Sequence, residues 1–182
     1  MAAAARLIFE HGVAGTTIEA VQAAATVSAS QLYHYFADKD DLVRAVIEYQ
    51  ADTIVGNQKS ASLDTLERLR SWRDMVVDLE RRRQGRGGCP LGSLGSQLAE
   101  TDPQARADIA AGFDRWQGAI EDGLRAMHAS GQLVPEADPA ALALATLAAL
   151  QGGLLLTQMR RQVEPVETAL DAMIALIASL AS

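Results

Sequence analysis

The sequence predicts an all-α protein of about nine helices, and three observations carry that expectation. Ala and Leu dominate a chain that is 49% hydrophobic but only 4% aromatic, a composition that suits helices better than sheets. Helix start and stop signals recur: cap residues followed three positions later by Glu or Gln, Asp-Pro pairs, and glycines just past apolar-periodic stretches. No period-2 alternation of useful length is present.

The first helix is expected from Ala2 to His11, stopped at Gly12, a residue that suits a left-handed C-terminal cap. Thr16 with Glu19 reads as a capping box opening a second helix from Thr17 to Ala25. Ser28 with Gln31 repeats the pattern and opens a third, Ala29 to Phe36. Asp38 caps a long fourth helix from Lys39 to Gln58, whose Leu42, Val46 and Tyr49 share an apolar face. A fifth begins at Ser62 or Leu63 and breaks at Gly85, Gly87 and Gly88, after the basic run Arg81, Arg82 and Arg83. That run reads as a solvated helix end favoured by the helix dipole. A short helix covers Leu91 to Glu100. Asp102-Pro103 starts another to Ser130, Asp138-Pro139 one to Gln162, and Pro165 opens the last.

Composition narrows the function. A net charge of −7 and a pI near 4.9 argue against nonspecific nucleic-acid binding, though a local basic face would suffice for a specific site. Residues 1–50 are themselves acidic, with Arg6, Lys39 and Arg44 against Glu10, Glu19, Asp38, Asp40, Asp41 and Glu48. The single Cys89 leaves no internal disulfide and fits a reducing, cytoplasmic setting. The apolar run Pro139 to Leu156 is Ala-rich and interrupted by Gln151, so no membrane association is expected. Only His11, His34 and His128 are available, without metal spacing, a nucleophile elbow or a phosphate loop. No enzyme, no metal and no cofactor are expected.

Helices two and three are joined by only Thr26 and Val27, the compact spacing of a helix-turn-helix whose second helix enters the major groove. Ile18, Val21 and Ala25 share one face, as do Leu32 and Phe36, and these faces pack together. Ser28, Ala29, Ser30, Gln31, Tyr33, His34 and Tyr35 are left outside. Gln31 can pair with an adenine edge and Ala29 can touch a thymine methyl. Tyr33, Tyr35, His34, Ser28, Thr17 and Lys39 can donate to phosphates, as can the N–H groups at the start of the second helix. The same residues also satisfy a plain three-helix core with two solvated tyrosines.

The run Ala4-x-x-Leu7, Glu10, Gly12, Thr16-Thr17, Val21, Val27-Ser28, Leu32-Tyr33-x-Tyr35-Phe36, Lys39-x-x-Leu42 resembles the N-terminal signature of TetR transcription regulators. The resemblance implies a DNA-binding domain over residues 1–47 and a ligand-binding and dimerisation domain over 48–182. The chain departs from the pattern at several positions. Thr26 and Ser30 stand where the family usually has glycines, Gln22 for a usual alanine, Ile8 for a phenylalanine and Tyr35 for a common histidine. The chain also starts inside the first helix, where relatives carry further, often basic, residues. Gly88-Cys89-Pro90-Leu91-Gly92-Ser93-Leu94, Phe113-x-x-Trp116 and Gly131-x-Leu133 look like the C-terminal domain of the LmrA/YxaF-like branch.

In that half, Trp72, Met75, Val76 and Leu79 with Phe113, Trp116 and Ile120 form an apolar, aromatic group, and Gln97, Gln117 and Gln151 are interior polar candidates. Together they suggest a mostly apolar pocket for a small hydrophobic or aromatic effector, although such stripes also serve simply as core. Leu144, Ala148, Gly152 and Leu155, with Ala169, Met173, Leu176, Ile177 and Leu180, leave two helices apolar on most sides, as a two-fold interface between copies requires. The expected function is a ligand-responsive repressor that binds a palindromic double-stranded operator as a homodimer. The alternative is a ligand-binding helical protein whose DNA-binding domain has degenerated.

Overall fold

A computed structural model describes all of residues 1–182. It contains nine helices: α1 (Ala2–Gly15), α2 (Ile18–Ala25), α3 (Ala29–Tyr35), α4 (Lys39–Ala61), α5 (Leu66–Arg83), α6 (Pro90–Leu98), α7 (Pro103–Ala129), α8 (Pro139–Arg160) and α9 (Glu164–Ser179). The only β pairing is an isolated antiparallel bridge, Leu133 to Ala181.

Local chemistry explains most boundaries. Gly12 sits at φ 74°, ψ 170°, so the regular part of α1 ends there as expected, and a short turn continues to Gly15. The cap of α2 is Thr17, not Thr16: the Thr17 hydroxyl accepts from Ala20 N–H at 3.1 Å, while the buried Thr16 donates to the Gly12 carbonyl at 2.8 Å. Two adjacent threonines thus split the tasks of closing one helix and opening the next. The Ser28–Gln31 capping box forms as read. Thr65 caps α5, which therefore starts after Ser62 and Leu63. Asp138 accepts from Ala140 and Ala141, with Pro139 in the first turn of α8.

The chain forms two compact units, residues 1–53 with 90–113, and residues 54–89 with 114–182. The first holds α1 to α3, most of α4, all of α6 and the start of α7, a composition wider than the N-terminal three helices alone. Its core is Ala4, Ala5, Leu7, Ile8, Val21, Leu32, Leu42, Val46, Ile47, Leu91 and Leu94. The second holds the remainder, with Leu69, Trp72, Ile120, Leu124, Met127, Leu150, Leu170 and Ile177 buried.

Candidate nucleic-acid interface

The first unit presents a two-helix reading head. Val21 of α2 and Leu32 of α3 are buried, as are Leu42 of α4 and Ala4 of α1, so α3 turns one face inward. The turn between α2 and α3 runs through Thr26, a β-branched residue held in the left-handed region at φ 56°, ψ 44°. Glycine is the residue that region favours, so this is a strained turn that nonetheless closes: Val27 N–H reaches the Gln22 carbonyl at 3.1 Å.

All seven polar and small candidates of α3 and its cap, Ser28, Ala29, Ser30, Gln31, Tyr33, His34 and Tyr35, are solvent-exposed. Tyr35 is 75% exposed and stacks edge-on with His34, ring centroids 5.1 Å apart. Thr17 is exposed at the start of α2, and Lys39 is half-buried in the first turn of α4. Gln31 departs from its expected use. Its side-chain Oε1 accepts from Ser28 N–H at 2.8 Å while Ser28 Oγ accepts from Gln31 N–H at 3.2 Å. That oxygen is committed to the cap, so a two-point adenine contact requires Gln31 to leave it; the amide Nε2 is the group left to donate.

The electrostatics of the head are mixed. Glu19 stands in the first turn of α2, and its carboxyl is held below its ordinary value by its own backbone N–H first and by the Thr17 hydroxyl second. Asp38 and Asp41 cap the start of α4, with Arg44 on Asp41 at 3.5 Å. An open groove of about 880 Å³ runs beside α3, lined by Val21, Gln31, Leu32, His34, Phe36 and Leu42 among others.

The effector candidates are spread over both units. Gln97 and Phe113 belong to the first unit and the other eight to the second. Gln97 is exposed and bonded to the last turn of α1, beyond the break at Gly12, a role its apolar neighbours did not signal. Trp72, Trp116 and Ile120 are buried, Val76, Gln117 and Gln151 half-buried, while Met75 and Leu79 are exposed on α5. Gln58 escaped the sequence reading because it lies in the polar stretch Gly56-Asn57-Gln58-Lys59. It is only 3% exposed, and its Oε1 accepts from the Trp116 indole N–H at 3.0 Å.

Of the interface candidates, Leu144 and Leu155 are each 56% exposed; Ala148, Gly152 and Leu176 are exposed, and Ala169, Met173 and Leu180 half-buried. Ile177 is fully buried within the chain itself. The helical register that exposes Leu176 turns its neighbour inward. Leu156 and Met159, not among the expected residues, extend the exposed apolar strip of α8.

Comparison with known proteins agrees with this geometry. Residues 1–46 match the bacterial regulatory proteins of the tetR family, and residues 65–173 match the tetracyclin repressor-like C-terminal domain. That second match does not single out the LmrA/YxaF-like branch. The transcriptional regulator AcuR of Cereibacter sphaeroides is 29% identical over 87% of this chain and 74% of its own. The HTH-type transcriptional repressor DhaR of Mycobacterium sp. (strain GP1) is 24% identical over 89% and 82%. Among solved structures, a TetR regulatory protein from Rhodobacter sphaeroides superposes with a TM-score of 0.82 at 26% identity, covering 96% of each chain. A TetR regulator from Chloroflexus aurantiacus gives 0.81 at 25%, covering 99% of this chain and 92% of that one. With both halves matched and the reading helix turned outward, the chain belongs to the TetR family: it is a transcription regulator, not an enzyme.

Proposed function

We propose that this regulator is a cytoplasmic, ligand-responsive repressor that grips a partly palindromic operator as a homodimer and lets go when a small hydrophobic or aromatic effector binds. Residues 1–47 read the DNA and residues 48–182 sense and dimerise. The observation that carries the dimer is the exposed apolar strip Leu144, Leu155, Leu156 and Met159 on α8 with Leu176 on α9. So much exposed apolar surface on two neighbouring helices calls for a partner. A second copy related by a two-fold axis supplies the same strip and makes a four-helix seam. Two reading heads then face two half-sites, about 34–36 Å or a multiple of that apart.

α8 is long and apolar enough to cross a bilayer by length and composition. Its two faces differ, however. One packs Leu142, Leu147, Leu150 and Leu154 into the core of the unit, which favours a half-buried interface helix.

For the effector, buried Trp72 and Trp116 offer flat apolar rings beside aliphatic Ile120, and Gln58 and Gln151 each hold a buried amide nitrogen without a hydrogen-bond partner. Apolar walls with few charges favour an uncharged or amphipathic aromatic guest. Coupling of roughly 1–3 kcal/mol between the two sites is enough for release, and DNA weakens the effector by the same factor.

The acidic balance of residues 1–50 and the engagement of Gln31 in its cap favour one other reading, a ligand-binding protein whose DNA head has decayed. Selection from random duplexes separates the two. A repressor enriches a symmetric motif, and enrichment of no motif by the dimer selects the decayed head.

A further inference from the structure

Where Gly12 leaves the helical region, α1 loses its regular ladder, and Val13 N–H needs an acceptor from elsewhere. The acceptor comes from α6, 84 residues further along: Gln97 Oε1 accepts from Val13 N–H at 2.8 Å. The amide is itself pinned. Its Nε2 donates to the Ser93 carbonyl at 3.0 Å and to Ser93 Oγ at 3.2 Å, one helical turn back. Glycine is needed at position 12 for two reasons. Its φ of 74° disfavours a side chain, and a Cβ there would stand 2.8 Å from Gln97 Oε1. The chain beyond is tied in sequence, with Thr16 Oγ1 donating to the Gly12 carbonyl at 2.8 Å and Thr17 capping α2. From Gln97 to the first turn of α2 the chain is therefore held by three hydrogen bonds joined by adjacent backbone.

We propose that Gln97 is a positioning residue for DNA binding: from α6 it holds the α1–α2 turn, and through it the phosphate-facing start of α2. This rests on the reading of Thr17 and the α2 amides as phosphate contacts. Residues 1–46, which match the family's DNA-binding part, do not contain Gln97. The reading head is thus completed by a helix from beyond it. α6 follows directly on Cys89, the last residue of the first stretch of the second unit. α6 also packs on α1 through its apolar face, and Gln97 is the side chain by which a displacement of α6 reaches the α1–α2 turn directly. Because Gln97 is exposed, water can take its place on Val13. The consequence of losing it is a loosened turn, not an unfolded head.

The test uses the full-length protein and the duplex motif enriched by random selection. Gln97→Met keeps the length and helix preference of the side chain and removes its acceptor. Gln97→Glu gives up the amide's donation to the Ser93 carbonyl but keeps an acceptor oxygen at the same reach for Val13. Gln97→Met is expected to bind the motif and unrelated duplexes about 3- to 10-fold more weakly, the range that loss of one ordinary hydrogen bond produces. Its salt slope becomes shallower as a phosphate contact is lost, and its Val13 amide exchanges hydrogen faster in NMR. Gln97→Glu stays near the parent. Parent-like affinity for Gln97→Met, or unchanged Val13 exchange, overturns the proposal. So does a loss of binding that merely follows a lower melting temperature and that Gln97→Glu fails to rescue. A parent protein that binds no duplex sinks the repressor reading instead, and Val13 exchange still decides whether the latch exists.

Discussion

Single residues here carry strain that the fold tolerates. Thr26 holds a left-handed conformation that costs an L-residue roughly 1–2 kcal/mol, more awkwardly so for a β-branched side chain. Thr26→Gly removes that cost and gives back part of it as unfolded-state entropy. A net gain of about 1 kcal/mol is expected, or roughly 2–4 °C in melting temperature; an unchanged or lower melting point contradicts it. Glu80 is a second case. It is 1% exposed, its Oε1 lies 3.6 Å from Arg83 Nη1, and its Oε2 has no hydrogen-bond partner. Burial pushes its carboxyl above the ordinary 4.5, with Arg83 opposing the shift. The folded chain then binds a proton that the unfolded chain has already released. Stability due to this group is full below the unfolded value and declines as pH rises from there through the raised one. Glu80→Gln should flatten that decline, which thermal melts from pH 4 to 8 will read. A variant that melts lower than the parent at pH 8 would show that the pairing with Arg83 outweighs burial.

Among the elements, α8 and α9 share the most extensive contact, and a glycine lies in it. A Cβ on Gly153 would stand 2.8 Å from the Val166 Cα and 3.3 Å from the Ala169 Cβ. Beside this contact the fully buried Thr157 hydroxyl accepts from Val166 N–H at 3.2 Å and satisfies the first turn of α9. Gly153→Ala therefore has to push the helices apart. A cost of roughly 1–3 kcal/mol is expected from overpacking, visible as a lower urea midpoint with little change in slope; an unchanged midpoint would mean that α9 yields freely. Yielding is opposed by α5, whose Arg73 reaches both Asp171 at 2.7 Å and Glu167 at 2.9 Å on α9. Those carboxylates, Asp171 foremost, hold the guanidinium further above its already high value, so Arg73 keeps its charge for the tie between α5 and α9.

At the scale of the whole molecule the exposed strip on α8 and α9 makes assembly the property to measure. Ala148 lies on the exposed side of α8, so Ala148→Arg leaves the core of a single chain untouched. In the proposed seam the new charges are buried without partners, which should weaken association by several kcal/mol. Light scattering at micromolar concentration is expected to give a dimer for the parent and a monomer for the variant, with the helical circular dichroism preserved. A parent that scatters as a monomer removes the two-fold seam, and with it the symmetric operator.

Helix identity and most helix ends were determined by amino-acid order alone. Caps, glycine stops and Asp-Pro starts act over three or four residues and need no distant partner: the Ser28–Gln31 box and the Asp138 cap are examples. The outward face of α3 was legible for the same reason, since burying Leu32 leaves Tyr33, His34 and Tyr35 outside by helical geometry. The allotment of polar side chains between interior and surface was not. Gln58 meets Trp116 across 58 positions, Val13 meets Gln97 across 84, and Arg73 meets Asp171 across 98. Amphipathic pattern says which face of a helix turns inward, but not which neighbour it will find there. For that reason Gln97, expected in the interior, became an exposed fastener of the reading head, while Gln58, in a run that reads as solvated, went into the core. Only packing between segments far apart in sequence decides which amide is left to hold which backbone.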